Sequence, residues 1–136
     1  MISYRAYEKN EPGRGEGYVG LSPVIDEEEE KKGEPARIRC ATCGHELTTS
    51  EAGISVEGSH RHVKVNPAGL VFHIACFDPT PGVLPVGSPS EEWSWFAGFQ
   101  WQVALCGHCA IHLGWTFVGE GQFTALIEGR FESDGR

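Results

Sequence analysis

Cys40-Ala41-Thr42-Cys43 and Cys106-Gly107-His108-Cys109 are two C-x2-C pairs with 62 residues between them. In such a pair the intervening turn lets both thiolates point at one ion, and glycine (Gly44, Gly107) eases the tight backbone. Two pairs supply the four sulfurs of a closed tetrahedral site, with metal–sulfur distances of about 2.3 Å for zinc. All four positions are then protein ligands, so a water has no place on the metal and the role is structural. The spacing is wider than in a zinc ribbon. The ion would therefore tie the start of the domain to its last third, and its binding would contribute to folding directly. Other readings of the same cysteines are redox dithiols or buried thiols, and His45, His108 and His112 lie close enough in sequence to replace a sulfur. Cys76, inside the apolar run Val71 to Phe77, has no partner pair and reads as a core thiol.

Little else in the chain suggests a reaction. No serine–histidine–acid set or spaced carboxylate pair stands out, and Cys76 has no obvious activating base. Residues 1–35 hold five basic and nine acidic residues and the remainder six and ten, which gives the net charge of −8. Neither part offers the basic footprint of a nucleic-acid binder. No apolar run reaches 18 residues, so no membrane-spanning helix is expected. The first residues, Met-Ile-Ser-Tyr-Arg-Ala-Tyr-Glu-Lys, lack the apolar core of a secretory signal, which points to the cytoplasm and to reduced cysteines.

These side chains must be positioned by strands. With 18 glycines and 8 prolines in 136 residues, short strands and tight turns fit better than long helices. Residues 1–35 form a separate zone whose glycines and Asp26–Glu30 run bury little; it reads as an acidic, mobile tail, although Tyr4, Tyr7 and Tyr18 could dock. From Arg37 the pattern has period two. Ile38 and Cys40 alternate with charged neighbours, and Val63 and Val65 with Lys64. Asn66-Pro67-Ala68-Gly69 signals a turn, followed by a largely buried strand from Leu70 to Phe77 and a break at Asp78–Gly82. Phe99, Trp101, Val103 and Leu105 share one face of a further strand. Trp115 and Phe117 share a face of another, and the last strand is expected around Phe123 to Ile127.

All four tryptophans fall within residues 93–115, beside the second cysteine pair. Composition alone leaves an aromatic core and an aromatic pocket equally open. The surrounding sequence adds more. Trp93-Ser94-Trp95-Phe96-Ala97-Gly98-Phe99-Gln100-Trp101, then Cys106-Gly107-His108-Cys109, then His112-Leu113-Gly114-Trp115-Thr116-Phe117, closely resembles the cereblon-type thalidomide-binding domain family. So does His60-Arg61-His62-Val63-Lys64-Val65-Asn66-Pro67-Ala68-Gly69. The likeness covers about residues 36–130, includes both cysteine pairs, and is similar to the single-domain bacterial members.

The resemblance implies an all-β fold, a tent of two antiparallel sheets pinned by a structural four-cysteine zinc site, over residues 36–136. It implies that Trp95, Trp101 and Trp115 wall a cage with Phe117 at its base. Main-chain groups of Trp93, Ser94 and Trp95 would meet the imide of a glutarimide, a lactam or a uracil-like ring, with Asn66 and Pro67 bordering the pocket. Cereblon has histidine where this chain has Trp93, so that side-chain contact is not carried over. A damage-derived cyclic imide at a protein C-terminus is a conceivable natural ligand, and no ubiquitin ligase partner is implied. Two other readings compete. Tryptophan cages also take methylated or quaternary amines, for which Glu91 and Glu92 would be suited. The tent with paired C-x2-C motifs also resembles methionine sulfoxide reductases of the B type. Those need a late nucleophilic cysteine, and none follows Cys109.

Overall fold

A computed structural model describes residues 34–134. The tail reading, with Tyr4, Tyr7 and Tyr18, lies outside the described residues except for Glu34 and Pro35.

Nine strands carry the described chain: β1 (Arg37–Cys40), β2 (Glu46–Thr49), β3 (Arg61–Val65), β4 (Val71–Phe77), β5 (Val83–Ser90), β6 (Gln100–Cys106), β7 (His112–Val118), β8 (Gln122–Ile127) and β9 (Phe131–Ser133). One short 3₁₀ turn, Ser50–Ala52, is the helical element among the described residues. The strands form two antiparallel sheets, a small one ordered β2-β1-β9 and a large one ordered β3-β4-β8-β7-β6-β5.

The large sheet is buried on both faces, which explains the nearly continuous apolar runs of β4, β7 and β8. On one face Ile74 and Cys76 of β4, Trp115 and Phe117 of β7, and Phe123, Ala125 and Ile127 of β8 meet Ile54, Trp95 and Phe96. On the other, Ala75, Phe77, Ala104, Cys106, Leu113 and Leu126 meet Ile38, Cys40 and Leu47 of the small sheet. The molecule thus has an aromatic side and a cysteine side. A register shift opposite Ala104 and Leu105 lets β7 serve both. It turns Leu113 to the cysteine side, while Trp115 and Phe117 face the aromatic side.

Two glycines let the sheets approach. Gly82 donates its N–H to the Leu47 carbonyl of β2 at 3.0 Å, and Gly107 donates to the Gly82 carbonyl at 2.9 Å. A Cβ on Gly82 would stand 2.1 Å from the Glu46 oxygen, and one on Gly107 would stand 2.8 Å from the Gly82 oxygen. Side chains are excluded there by backbone contact, not by an unusual dihedral.

Several sequence expectations need correction. Phe123–Ile127 is not the last strand, because Phe131–Ser133 follows and pairs with β1. The run from Leu70 is buried only from Ile74 onward: Leu70 and Val71 are exposed, and the strand proper begins at Val71. β2 and β5 had no clear signal. β5 holds Pro85 and Pro89, which read as breakers, yet it is the edge of the large sheet, where a missing N–H costs no ladder bond.

Candidate functional site

The four paired cysteines converge between the sheets. Cys40 ends β1 and Cys106 ends β6, and both are buried; Cys43 and Cys109 follow in the turns and are exposed. Their four Sγ atoms all lie within 4.8 Å of one another. Cys40 Sγ stands 3.9 Å from Cys109 Sγ, and Cys43 Sγ 3.7 Å from Cys106 Sγ. Such a group could hold a metal ion, joining the small sheet to the large one.

The two turns are built alike. Cys40 N–H donates to the His45 carbonyl at 2.9 Å and Gly44 N–H to the Cys40 carbonyl at 2.8 Å. In the second turn Cys106 N–H donates to the Ile111 carbonyl at 2.9 Å and Ala110 N–H to the Cys106 carbonyl at 2.9 Å. The fourth residue after each leading cysteine takes a left-handed conformation, Gly44 at φ 83° and Ala110 at φ 65°. Glycine does so without strain and alanine does not. Burial acts to raise the Cys106 thiol, but main-chain N–H groups of Cys109 and His108 aimed at its sulfur (3.5 and 3.3 Å) bring it down to about 7. N–H donors stabilise a thiolate, the form a metal requires. His45 and His108 stack on each other with centroids 5.6 Å apart, and the close set of four contains cysteines alone. Cys76 stands apart, fully buried in the aromatic core, where burial pushes its thiol up.

The aromatic side gathers most of the remaining sequence-predicted residues. Trp95 comes from the β5–β6 loop and Trp115 from β7, and both are almost fully buried. Their rings meet edge to face, with centroids 4.8 Å apart at 76°. Phe72 of β4 contacts both, at 5.1 Å from Trp115 and 6.0 Å from Trp95. Sequence reasoning missed Phe72. It falls two residues before the buried half of β4, on the period-two face that runs through Ile74 and Cys76, and that alternation could have found it. Phe117 lies below, stacked on Phe123 at 5.2 Å and edge-on to Phe96 at 4.9 Å. Trp101 packs against the same core from β6, half-buried.

Hydrogen bonds fix these walls. The Trp95 indole N–H donates to the Val65 carbonyl at 3.2 Å, and the Trp101 indole N–H to the Glu92 carbonyl at 2.8 Å. The first bond links the β5–β6 loop to the β3–β4 turn, which Asn66 shapes. Asn66 Oδ1 accepts from the N–H groups of Ala68 and Leu70 at 3.0 and 2.9 Å. Pro67 sits in this turn, next to the strand end that receives Trp95. Within the loop, Ser94 Oγ accepts from Phe96 N–H at 3.3 Å and donates to the Phe96 carbonyl at 3.1 Å. Trp93, 48% exposed, takes φ 62°. A bulky residue in that region costs about 1–3 kcal/mol and is held there only by its surroundings. Glu91 and Glu92 are exposed.

Site and fold together define a two-sheet β-domain with a four-cysteine group that could hold a metal ion on one side of its large sheet and a tryptophan cluster on the other. Over 77 residues, 57% of the chain, the sequence is 55% identical to "Protein cereblon" of Drosophila grimshawi and, over the same length, to that of Drosophila melanogaster. Over 54 residues, 40% of the chain, it is 43% identical to "Protein cereblon" of Xenopus tropicalis. The chain covers only 11% of the first of these proteins and 12% of the other two. No family model matches it. The chain carries a cereblon-type domain. Among the described residues no helix is long and apolar enough to cross a membrane.

Proposed function

We propose that this domain is a binding module, not an enzyme, that takes a neutral cyclic imide into the cluster of Trp95, Trp101 and Trp115. The observation that carries the reading is the use of the indole N–H groups. Trp95 and Trp101 have committed theirs to the Val65 and Glu92 carbonyls, so these walls present π faces. A flat ring gains dispersion and desolvation between such faces. Its N–H and two carbonyls need polar partners from elsewhere, and we assign that role to the main chain of Trp93, Ser94 and Trp95. Asn66 and Pro67 border the ring on the hairpin side, Phe117 forms the floor, and Phe72 adds a further wall. Glutarimide, a lactam or a uracil-like ring fits this chemistry, including a cyclic imide at the end of a protein chain.

The ion of the four-cysteine group we take to be zinc, with a structural role. Four sulfurs about 2.3 Å from a tetrahedral centre lie about 3.8 Å from one another, and the two short Sγ–Sγ distances of 3.7 and 3.9 Å bracket that value. With all four positions filled by Cys40, Cys43, Cys106 and Cys109, zinc would fix the sheets and leave no site for substrate. Cys76, the remaining thiol, is buried with its pKa raised, which removes the nucleophile a reductase would need. Reduced thiols suit a cytoplasmic setting, and residues 36–136 are taken as the domain.

A second reading has one observation in its favour: Glu91 and Glu92 are exposed beside the cluster and would attract a methylated ammonium. Titration with glutarimide, its N-methyl derivative and trimethyllysine, followed by tryptophan fluorescence, separates the two. The imide reading expects glutarimide to bind and N-methylation to abolish most of the affinity. Equal binding of the N-methyl compound, or preference for trimethyllysine, would sink it.

A further inference from the structure

Trp93 stands where the backbone calls for glycine. Ser94 N–H donates to the Glu91 carbonyl at 3.2 Å, closing a turn with Glu92 and Trp93 at its centre. Of those two central residues only Trp93 has a positive φ, 62°. A positive φ at the second central position marks a type II turn, in which glycine is favoured because it has no Cβ to clash. On either side along the chain a positive φ falls to glycine, at Gly87 and Gly98. At this turn the position carries the largest side chain instead.

Core packing accounts for the neighbouring indoles better than for this one. Trp95 and Trp115 are 1% exposed, whereas Trp93 leaves 48% of its surface open to solvent. A side chain gains hydrophobic free energy only in proportion to the apolar area it buries. Strain held at an exposed aromatic residue beside a site is an observation from which a functional role can be argued.

The turn is fixed to the tryptophan cluster on both sides of Trp93. The Glu92 carbonyl, which shares a peptide bond with Trp93, accepts the Trp101 indole N–H at 2.8 Å. Two residues after Trp93, Trp95 is itself a wall, tied by its indole to the Val65 carbonyl at 3.2 Å. Ser94 between them accepts from the Phe96 N–H at 3.3 Å and donates to the Phe96 carbonyl at 3.1 Å. The exposed indole is thus held by its main chain at the rim of the cluster, between the residues that pin two of its walls. An aromatic ring on a backbone fixed in this way needs little further ordering when a ligand covers it.

We propose that Trp93 is a shelf outside the cluster that takes a planar aromatic group carried by the imide ring, and so selects substituted imides over the bare ring. The inference rests on the imide reading above and deepens it: Trp95, Trp101 and Trp115 hold the ring, and Trp93 stacks on what the ring carries. Stacking on an indole gains dispersion and removes apolar surface of both partners from water.

The test titrates two ligands, glutarimide and glutarimide with a phenyl group on the carbon beside one carbonyl. Each is followed by ligand-observed NMR against the full parent chain, Trp93→Gly and Trp93→Phe. The quantity read is the ratio of the two Kd values within one protein, so any effect of the substitution on the bare ring cancels. The phenyl compound should bind the parent at least about fivefold more tightly than glutarimide. That ratio should fall below about twofold in Trp93→Gly and stay near the parent's in Trp93→Phe, which keeps a flat ring. Trp93→Gly should also melt within about 5 °C of the parent, because glycine relieves the turn. An equal ratio in parent and Trp93→Gly would overturn the shelf, and so would a larger loss of Tm, which assigns the indole to the fold. Absence of glutarimide binding to the parent would defeat the imide reading itself, and the shelf with it. Glutarimide binding without a phenyl gain defeats the shelf alone.

Discussion

Replacing Gly82 with alanine tests the close approach of the two sheets. The new Cβ would stand 2.1 Å from the Glu46 carbonyl oxygen and 2.7 Å from Leu47 Cα. Both neighbours are backbone, so the segment must move by about 1 Å to restore ordinary contact. That shift stretches two hydrogen bonds in series, Gly82 N–H to Leu47 and Gly107 N–H to Gly82. Each is worth about 0.5–1.5 kcal/mol, and an interior donor left unsatisfied costs about 1–3 kcal/mol. Alanine also stiffens the unfolded chain, which returns only about 0.4–1 kcal/mol. The balance is a loss of about 2–4 kcal/mol. At about 4–8 °C per kcal/mol for a domain of this size, Tm should fall by at least about 8 °C. Calorimetry at fixed free zinc is the assay, because metal binding shifts Tm by mass action. Since Gly107 lies inside the second cysteine turn, metal affinity should fall as well. A variant melting within about 2 °C of the parent would refute the claim that the backbones are in contact at Gly82.

Other expectations follow from the same structure. Cys43→Ser should lose the metal found by elemental analysis and most of the cooperative melt, whereas Cys76→Ser should keep the metal at a cost of about 1–3 kcal/mol for a buried hydroxyl. Ala110→Gly should raise stability by about 0.5–1 kcal/mol in a urea titration, because relief of a left-handed alanine exceeds the added unfolded-state entropy. Trp101→Ala should weaken glutarimide binding at least tenfold, about 1.4 kcal/mol, by fluorescence or ligand-observed NMR. Acid should destabilise the fold through histidine. Burial lowers His62 to about 4 and also lowers His60 and His112. Unfolded histidines take up protons below about 6.5 while His62 stays neutral until about 4, so stability should drop progressively across that window. A urea midpoint unchanged between pH 7 and pH 5, with the metal still bound, would contradict this.

Residue types exposed the chemistry more readily than the architecture. The two C-x2-C pairs could be paired from spacing because chelation demands that residue type and that turn, and the sulfurs do converge. Alternating apolar residues marked β3 and β6, and a largely apolar run marked β4. The strands that escaped notice are those whose stability comes from neighbours. β2 and β9 have four and three residues and exist by pairing with β1. β5 is studded with proline that only an edge tolerates. Phe72 was hidden because its importance lies in contacts to Trp95 and Trp115, which come from loop and strand far along the chain. Gly82 likewise shows no local signal: its need for hydrogen in place of a side chain arises from Glu46, 36 residues earlier.

β6 offers Trp101 and Val103 to one core and Ala104 and Cys106 to the other. Five residues, about 17 Å of extended chain, separate the indole from the sulfur. On the proposed reading, one rigid rod would be held at one end by an ion and at the other by whatever the tryptophans enclose. Linkage makes such an arrangement symmetrical: any factor by which the ion sharpens affinity for the ring is the factor by which the ring slows surrender of the ion. In a cell where chaperones, chelating peptides and glutathione compete for metal, an occupied domain would outlast an empty one. Abundance itself would then become a record of ligand.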